Sequence, residues 1–241
     1  MASTIAKEAD LKFGITQQFD CNYLPERQEQ LLVCVEPPMV LRSIFSDLTE
    51  SGFRRSGEQI YRPQCANCNE CQSIRVLARA FTISKSQKRV LSKNDDLQIK
   101  ISDINKPEYY LLYEKYVNQV HSDGTMYPAS IQQYDGFVNC EWQSPMFLEA
   151  HLNGELIGVA VTDKLKQGYS ALYTFFEPSM SKRSLGIFFI LKQIQLTADE
   201  NLPYVYLGYQ VDACKKMNYK RNFYPHERFY DNKWHLSVKN T

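Results

Sequence analysis

The alternation of apolar and polar residues predicts a strand, a helix and a second strand in close succession in the C-terminal half of the chain. Residues 169–176 (YSALYTFF) are rich in aromatic side chains, and residues 204–210 (YVYLGYQ) form a second strand-like run. Between them, apolar residues recur at helical spacing: Ile187, Ile190, Leu191, Ile194 and Ala198. Ser184 can cap the start of this helix, and Pro203 helps to end it. A strand that returns to the same sheet through a helix is normally parallel to the first, and sites in such sheets form at the carboxyl ends of the strands.

Two further strand-like segments precede this unit and predict an antiparallel meander. They cover residues 147–151 and 156–163, with a turn at Asn153-Gly154 between them. A meander that feeds a helix and a parallel strand is the order of a GNAT-like acyltransferase core. The predicted fold class is therefore α+β, with a mixed sheet in the core and an N-terminal α+β domain before it. We place the boundary near residue 100, so that residues 1–100 form the N-terminal domain and residues 101–241 form the GNAT-like domain.

The first hundred residues contain several shorter predicted elements. Pro25 suits the first turn of a helix that would run to about residue 35, and the spacing of apolar residues predicts a second helix over residues 41–48. Residues 73–81 alternate between apolar and basic side chains, which is typical of a strand with one buried face. Ser84 can cap the helix that follows.

The composition is that of an ordinary soluble protein. The chain has 241 residues, 44% of them hydrophobic, and the sequence has no apolar run near the roughly 20 residues that a membrane helix needs. The N-terminus MASTIAKEAD lacks the basic-then-apolar order of a signal peptide, so we expect no membrane partner and a cytoplasmic location. The formal net charge is +1, so any case for nucleic-acid binding must come from local clusters of charge.

One such cluster lies on the helix that Ser84 would cap. Four basic residues recur at helical spacing on one face: Lys85, Lys88, Arg89 and Lys93. Sequence-independent binding to a nucleic-acid backbone needs only spaced positive charge, although such a face is also common as a solvated surface.

Three closely spaced cysteines suggest a metal site. Cys65, Cys68 and Cys71 repeat a two-residue gap, and Cys21 could supply a fourth ligand to a tetrahedral site. The alternative is that these cysteines are partly buried or reducible thiols with no ligand.

Taken together, the motifs resemble those of the arginyltransferase family of aminoacyl-tRNA-protein transferases, and within it the bacterial leucyltransferase branch. The match spans about Cys21 to Phe229. The segments that carry it are FRRSG at 53–57, YRPQCANCNECQSIRV at 61–76, SKSQKR at 84–89, DGTMYP at 123–128, YTFFEP at 173–178, SLG at 184–186 and YLGYQVDACKKMNYK at 206–220.

The resemblance implies an activity and two partners. It implies transfer of leucine from leucyl-tRNA to proteins that begin with Asp or Glu, which marks them for degradation by the N-end rule.

The resemblance implies no cofactor for the transfer itself. Eukaryotic members are thought to hold an iron-sulfur cluster or a metal on a C-x-x-C pair and a later C-C pair. In this sequence Cys21 matches the first cysteine, but Leu24 stands in place of the second, so the cluster does not carry over residue by residue.

The implied reaction needs positioning groups and a cation more than it needs a strong base. Transfer from an aminoacyl ester is downhill, so the protein must mainly align a neutral amine with the ester carbonyl and support the oxyanion. We expect positioning groups at the strand ends, with no single base assigned: Tyr173, Glu177, Tyr209, Gln210 and Asp212.

Recognition of an acidic first residue calls for a cation, and the candidates are Arg54, Arg55, Arg62, Arg75, Lys216 and Lys220. The basic face of the capped helix would contact the tRNA. Strand-end packing and solvated surface charge are the plain alternatives for these residues.

Two other functions are compatible with parts of the sequence. A coenzyme A-dependent GNAT acetyltransferase would need closely spaced glycines at the start of the helix, where the segment 184–187 has Gly186 alone. A non-catalytic, metal-stapled RNA-binding module would leave the strand ends without a role. An assay with charged tRNA separates both from the transferase.

Overall fold

The computed structural model describes residues 11–124 and 126–239, which form a large mixed sheet with helices on both faces and a smaller sheet beside it. The α-helices are α1 (Pro38–Glu50), α2 (Lys85–Lys93), α3 (Pro107–Val120), α4 (Ile131–Val138) and α5 (Leu185–Asp199). The strands are β1 (Phe13–Ile15), β2 (Phe19–Asp20), β3 (Gln28–Glu29), β4 (Leu31–Cys34), β5 (Arg54–Ser56), β6 (Gln59–Pro63), β7 (Gln72–Leu77), β8 (Gln98–Ser102), β9 (Met146–Leu152), β10 (Glu155–Leu165), β11 (Gly168–Phe176), β12 (Tyr204–Gln210), β13 (His226–Tyr230) and β14 (Lys233–Ser237).

The large sheet has eight strands in the order β14-β13-β7-β12-β11-β10-β9-β8. Strands β8 to β11 pair antiparallel, and α5 then leads back to β12, which is parallel to β11. The predicted meander and crossover are therefore confirmed, and with them the α+β, GNAT-like fold class.

Alternate residues of the central strands bury two separate cores. Phe147, Val159 and Val161 pack under α3 and α4, whereas Leu148 and Ala160 face α5. Successive side chains of a strand point to opposite faces of its sheet, so this alternation places helices on both sides. The sheet is thus covered on both faces, with α5 next to the parallel pair of strands.

The smaller sheet, in the order β1-β4-β6-β5, packs with α1 against one side of the large sheet. Phe45, Leu48 and Ile60 are buried in a cluster that also contains Tyr206 of β12. The predicted boundary at residue 100 falls inside β8, and β7 lies in the middle of the large sheet. The two halves of the chain therefore share one sheet.

The predicted helix from Pro25 to about residue 35 is wrong. Leu31–Cys34 is strand β4, which pairs with β1 on one side and with β6 on the other. Two neighbouring strands satisfy its backbone, and this tertiary pairing overrides the local preference. The Pro37-Pro38 pair begins the next helix, because α1 starts at Pro38.

The two predicted helix caps have different outcomes. Ser84 caps α2 through a complete capping box with Gln87, as predicted. Ser184 precedes α5, but its φ is +56° and, within the described chain, its side chain makes no capping hydrogen bond. A capping residue normally has an extended backbone, and the left-handed conformation of Ser184 points its hydroxyl elsewhere. Among the residues that the structure describes, the first turn of α5 therefore receives no side-chain acceptor from Ser184 for its backbone N–H groups.

Candidate active site

The parallel strands β11 and β12 separate toward their carboxyl ends. Their registered pairing covers Gly168, Tyr169 and Ser170, which lie opposite residues 204–206. Beyond that point β12 continues beside β7, where Tyr209 and Gln210 have their partners. The carboxyl halves of the two parallel strands are therefore not paired with each other, and the region between their ends, here named the cleft, is the place predicted for the site.

Glu177 lies at the end of β11 and is held as a carboxylate. Lys115 Nζ of α3 donates to its Oε2 at 2.7 Å, and the Ser179 hydroxyl donates to its Oε1 at 3.0 Å. Burial opposes ionisation of Glu177, but the bonds from Lys115 and Ser179 outweigh burial and lower its pKa. Glu177 is therefore ionised at neutral pH and suited to positioning rather than to strong base catalysis.

Asp212 follows β12 and has the same character. It accepts hydrogen bonds from Arg228 at 2.7 Å and from the Gln210 amide at 2.8 Å, and Arg221 lies 3.6 Å away. Burial opposes ionisation of Asp212, but these partners lower its pKa. The two carboxylates thus stand at the ends of the two diverging strands, each fixed by a cation.

Arg54 of β5 and Lys220 place positive charge in the interior beside β12. Arg54 is 6% exposed, and its Nη2 donates to the carbonyls of Ile74 and Gly208 at 3.2 and 3.1 Å. Its Nε and Nη1 are buried and have no hydrogen-bond partner among residues 11–124 and 126–239. Lys220 is 7% exposed, and its Nζ donates to the Tyr209 carbonyl at 2.7 Å.

No carboxylate of the described chain forms a salt bridge with either of these two cations. Burial lowers the pKa of Arg54 to about 10. Burial and then the charge of Arg54 lower the pKa of Lys220 to about 7. A negatively charged ligand beside these two buried basic groups would stabilise the charge of Arg54 and the protonated form of Lys220.

The other three predicted strand-end residues have internal roles as well. Tyr209 is buried, and its single hydroxyl proton is shared between the carbonyls of Tyr61 and Gly52, at 3.1 and 3.3 Å. Tyr173 packs against Tyr113 and Phe137, and burial raises its pKa. Gln210 donates to Asp212, whereas its Oε1 is buried without a partner in the part of the chain that the structure describes. Gln210 therefore has one acceptor to offer a ligand.

Two of the predicted cations form ion pairs inside the protein. Arg55 donates twice to Asp163 at 2.8 Å, and both side chains are completely buried. Arg75 binds Glu50 and Glu227 at 2.5 and 2.6 Å. The guanidinium groups of Arg55 and Arg75 are thus engaged in structural ion pairs and are not available to an acceptor carboxylate.

The remaining two predicted cations, Arg62 and Lys216, are more exposed than Arg54 and Lys220. Arg62 stacks over Phe53 and donates to Ser51 O at 3.4 Å. Lys216 forms an exposed salt bridge with Asp123 at 3.0 Å, which joins the loop before α4 to the segment after β12. The segment DGTMYP contains Thr125, which lies outside the described residues.

The predicted basic face is present on α2. Lys85, Lys88, Arg89 and Lys93 are exposed, and Lys93 donates to the Lys182 carbonyl at 2.9 Å. The helix packs against α5. A solvent-facing row of positive charge therefore runs beside the helix that follows the diverging strand β11.

The metal site predicted at the cysteines stays a prediction, and the charges of Cys21, Cys65 and Cys68 all act on Cys71. Cys65 and Cys68 face each other in an isolated antiparallel bridge, and burial followed by the charge of Glu29 raises the pKa of Cys71 to about 12. Across residues 11–124 and 126–239, no three or more His, Cys, Asp or Glu side chains converge as metal ligands. Cys21, Cys65, Cys68 and Cys71 are free thiols in this structure.

Sequence reasoning missed the cations that hold the two carboxylates. Lys115 is 62 residues from Glu177 along the chain, and Arg228 is 16 residues from Asp212. Neither pair has a helical or strand spacing that would have indicated a contact. It also missed Glu29, a buried carboxylate near Tyr61 and Cys71.

A mixed sheet whose parallel strands diverge at their carboxyl ends is the architecture of GNAT-like acyltransferases. The family model described as "Arginine-tRNA-protein transferase, C terminus" matches residues 108–230, and the corresponding N-terminus model matches residues 19–89. The chain belongs to the arginine-tRNA-protein transferase family, and it is therefore an aminoacyltransferase.

Curated relatives match over nearly the full length. The chain is 52% identical to the aspartate/glutamate leucyltransferase of Pseudoalteromonas atlantica, over 95% of this chain and 99% of that protein. Proteins of the same name from Aeromonas hydrophila and Shewanella amazonensis are 47% and 48% identical, over 95% and 92% of this chain and 97% and 93% of theirs.

A more distant likeness exists to the L-PGS of Bacillus licheniformis. It has a TM-score of 0.41 at 11% identity, over 71% of this chain and 50% of that one, which is too slight to inform function. Within the described residues, no helix has the length and apolar character needed to cross a bilayer.

Proposed function

We propose that this protein transfers leucine from leucyl-tRNA to the α-amine of proteins that begin with Asp or Glu. The new N-terminal leucine would mark these proteins for degradation by the N-end rule in the cytoplasm. The identity to curated aspartate/glutamate leucyltransferases supports the reaction. The buried, anion-free charges of Arg54 and Lys220 are the single structural observation that carries the acceptor preference.

The cation pair matches the feature that distinguishes the acceptor. Asp and Glu differ from Asn and Gln by a carboxylate, and a desolvated carboxylate binds far more strongly to two cations than an amide does. Arg54 Nε and Nη1 are ready to donate to such a carboxylate, and Lys220 has ammonium protons beyond the one bound to the Tyr209 carbonyl. The acceptor would thereby satisfy donors that are otherwise buried without partners.

The position of the pair is suited to the reaction. Arg54 bonds the Gly208 carbonyl and Lys220 bonds the Tyr209 carbonyl, so both cations lie along the diverging half of β12. The acceptor α-amine, which is bonded directly to the Cα of the first residue, would lie near Gln210 Oε1, which can accept one of its hydrogens. Glu177 and Asp212 would fix the two walls of the cleft.

The chemical step needs alignment more than activation. The neutral amine nitrogen attacks the ester carbonyl of leucyl-tRNA, the tetrahedral intermediate expels the 3′-oxygen of the tRNA, and a peptide bond replaces the ester bond. The proton lost by the amine passes to that oxygen or to water. An α-amine has a pKa of about 7.7 to 8.0, so a substantial fraction is neutral near neutral pH without a strong base.

The test compares acidic and amide acceptors in wild type and variants. Wild type should transfer leucine from leucyl-tRNA to Asp-starting peptides far faster than to Asn-starting peptides. Lys220→Met and Arg54→Met should lose most of this preference, because each removes one cation from the carboxylate. Lys215→Met changes an exposed lysine five positions before Lys220 and should keep the wild-type preference. Equal use of both peptides by wild type would refute the proposal.

A further inference from the structure

A cavity of about 960 Å³ lies where α2, the start of α5 and the 3-10 helix Asn218–Asn222 meet. Ser86 and Val90 of α2 line it, together with Ile187 in the first turn of α5, Tyr219 and Phe223. A cavity of this size is at the upper end of the range for small-molecule and cofactor sites. It is large enough for a nucleoside that carries an amino acid.

The lining changes character from the interior to the rim. Val90, Ile187 and Phe223 are apolar, and Tyr219 adds an aromatic ring. Lys85 and Lys239 stand among the lining residues as positive charges. Aromatic rings bind nucleic-acid bases by stacking, and spaced lysines bind phosphates. The combination fits a ligand with an apolar, flat portion inside and an anionic portion outside.

The rim continues into the basic face of α2. Lys88 and Arg89 are exposed and follow Lys85 by three and four residues, which places all three on one side of the helix. A polyanion that leaves the cavity at Lys85 would therefore meet further positive charge along the same surface. A small anionic ligand would not need this continuation, whereas a nucleic-acid strand would.

Two short segments of the chain connect the cavity to the candidate active site. Tyr219 lines the cavity, and the next residue, Lys220, reaches β12 through the Tyr209 carbonyl. Ile187 belongs to the helix that follows the diverging strand β11, and the first turn of that helix has no side-chain cap in the described chain. The cavity is therefore linked to β12 through the Tyr219-Lys220 segment and to the chain after β11 through the first turn of α5.

We infer that this cavity binds the 3′-terminal leucyl-adenosine of the donor tRNA. The leucyl side chain and the adenine would occupy the apolar interior, and the preceding phosphates would leave along Lys85, Lys88 and Arg89. The inference rests on the proposed function and deepens it by assigning the donor a site separate from the acceptor's cation pair.

A pair of serine variants on α2 tests the assignment. Ser86 and Ser92 are both exposed on this helix, but Ser86 lines the cavity and Ser92 does not. Ser86→Trp should fill part of the cavity, raise the KM for leucyl-tRNA about tenfold or more, and leave the KM for an Asp-starting peptide unchanged. Ser92→Trp should behave as wild type. Circular dichroism and thermal unfolding establish that both variants are folded.

A second measurement uses a stable probe, 3′-deoxy-3′-(leucylamino)adenosine, in isothermal titration calorimetry. Wild type and Ser92→Trp should bind it, and Ser86→Trp should bind it about tenfold more weakly or worse. Lys85→Ala should raise the KM for leucyl-tRNA but leave the affinity for this phosphate-free probe unchanged.

The failures of the two proposals can be told apart. If wild type transfers leucine while Ser86→Trp keeps the wild-type KM for leucyl-tRNA and the wild-type affinity for the probe, the donor site is elsewhere and the proposed function stands. If wild type transfers no leucine from leucyl-tRNA to any peptide, the proposed function is overturned and the donor assignment falls with it.

Discussion

The buried ion pair between Arg55 and Asp163 should matter for stability and not for the choice of acceptor. Arg55 Nε and Nη2 each donate to a different oxygen of Asp163 at 2.8 Å, and Nη1 donates to the Gly57 carbonyl at 2.9 Å. Both side chains have no exposed surface. Replacement of Asp163 by Asn would leave the guanidinium charge uncompensated in the interior.

The expected loss is large for one substitution. Removal of one partner from a buried ion pair costs about 3–5 kcal/mol, because the remaining charge stays desolvated. For a chain of this size each kcal/mol lowers the Tm by about 2–4 °C, so Asp163→Asn should unfold about 6–20 °C below wild type. The double variant Arg55→Met/Asp163→Leu removes both charges and should recover most of the loss.

Thermal and urea unfolding, combined with transfer assays on Asp- and Asn-starting peptides, measure both parts of this prediction. The double variant should keep the wild-type preference for the acidic peptide, because Arg54 and Lys220 are unchanged. The assignment of Arg55 to structure is refuted if Asp163→Asn is as stable as wild type. It is equally refuted if the folded double variant transfers to both peptides alike.

Three further predictions follow from the site and its surroundings. The pKa of Lys220 is about 7, so its ammonium form prevails below that pH and is lost above it. The KM for an Asp-starting peptide should therefore rise with pH through this range, while the KM for an Asn-starting peptide should not. Parallel pH profiles for the two peptides would contradict this. Lys88→Glu combined with Arg89→Glu should weaken leucyl-tRNA binding and reduce the slope of log affinity against log salt by about 1 or more. Filter-binding titrations measure this slope, and an unchanged slope would count against a phosphate contact. Gly168 has a φ of +152°, and an added Cβ would lie 1.7 Å from the Tyr204 carbonyl oxygen. Gly168→Ala should therefore push β11 and β12 apart and lower the unfolding free energy by about 2 kcal/mol or more. Wild-type stability of this variant in urea would show that the pairing is not needed.

The parts of the fold that were predictable from sequence depend on short-range signals. The helical spacing from Ile187 to Ala198 and the strand-like runs around it predicted the crossover, because each signal lies within one element. The capping box at Ser84 was predictable for the same reason, since Gln87 is three residues away. The location of the cleft followed from the crossover.

The parts that were not predictable depend on partners far along the chain. Leu31–Cys34 is a strand because β1 and β6 flank it, which no local pattern indicates. Arginines at 54 and 55 look equivalent in sequence, but Arg55 meets Asp163, 108 residues away, while Arg54 meets backbone carbonyls. The difference between a structural cation and an available one is therefore decided by long-range contacts.

A crystal structure with an Asp-starting peptide bound is the most direct test of the central claim, which is that Arg54 and Lys220 hold the acidic side chain of the acceptor. The account predicts that the side-chain carboxylate of the peptide lies within hydrogen-bond distance of Lys220 Nζ and of Nε or Nη1 of Arg54, with the peptide amine in the cleft between β11 and β12. A carboxylate bound elsewhere, with Arg54 and Lys220 still bonded to the carbonyls of Ile74, Gly208 and Tyr209, would contradict it.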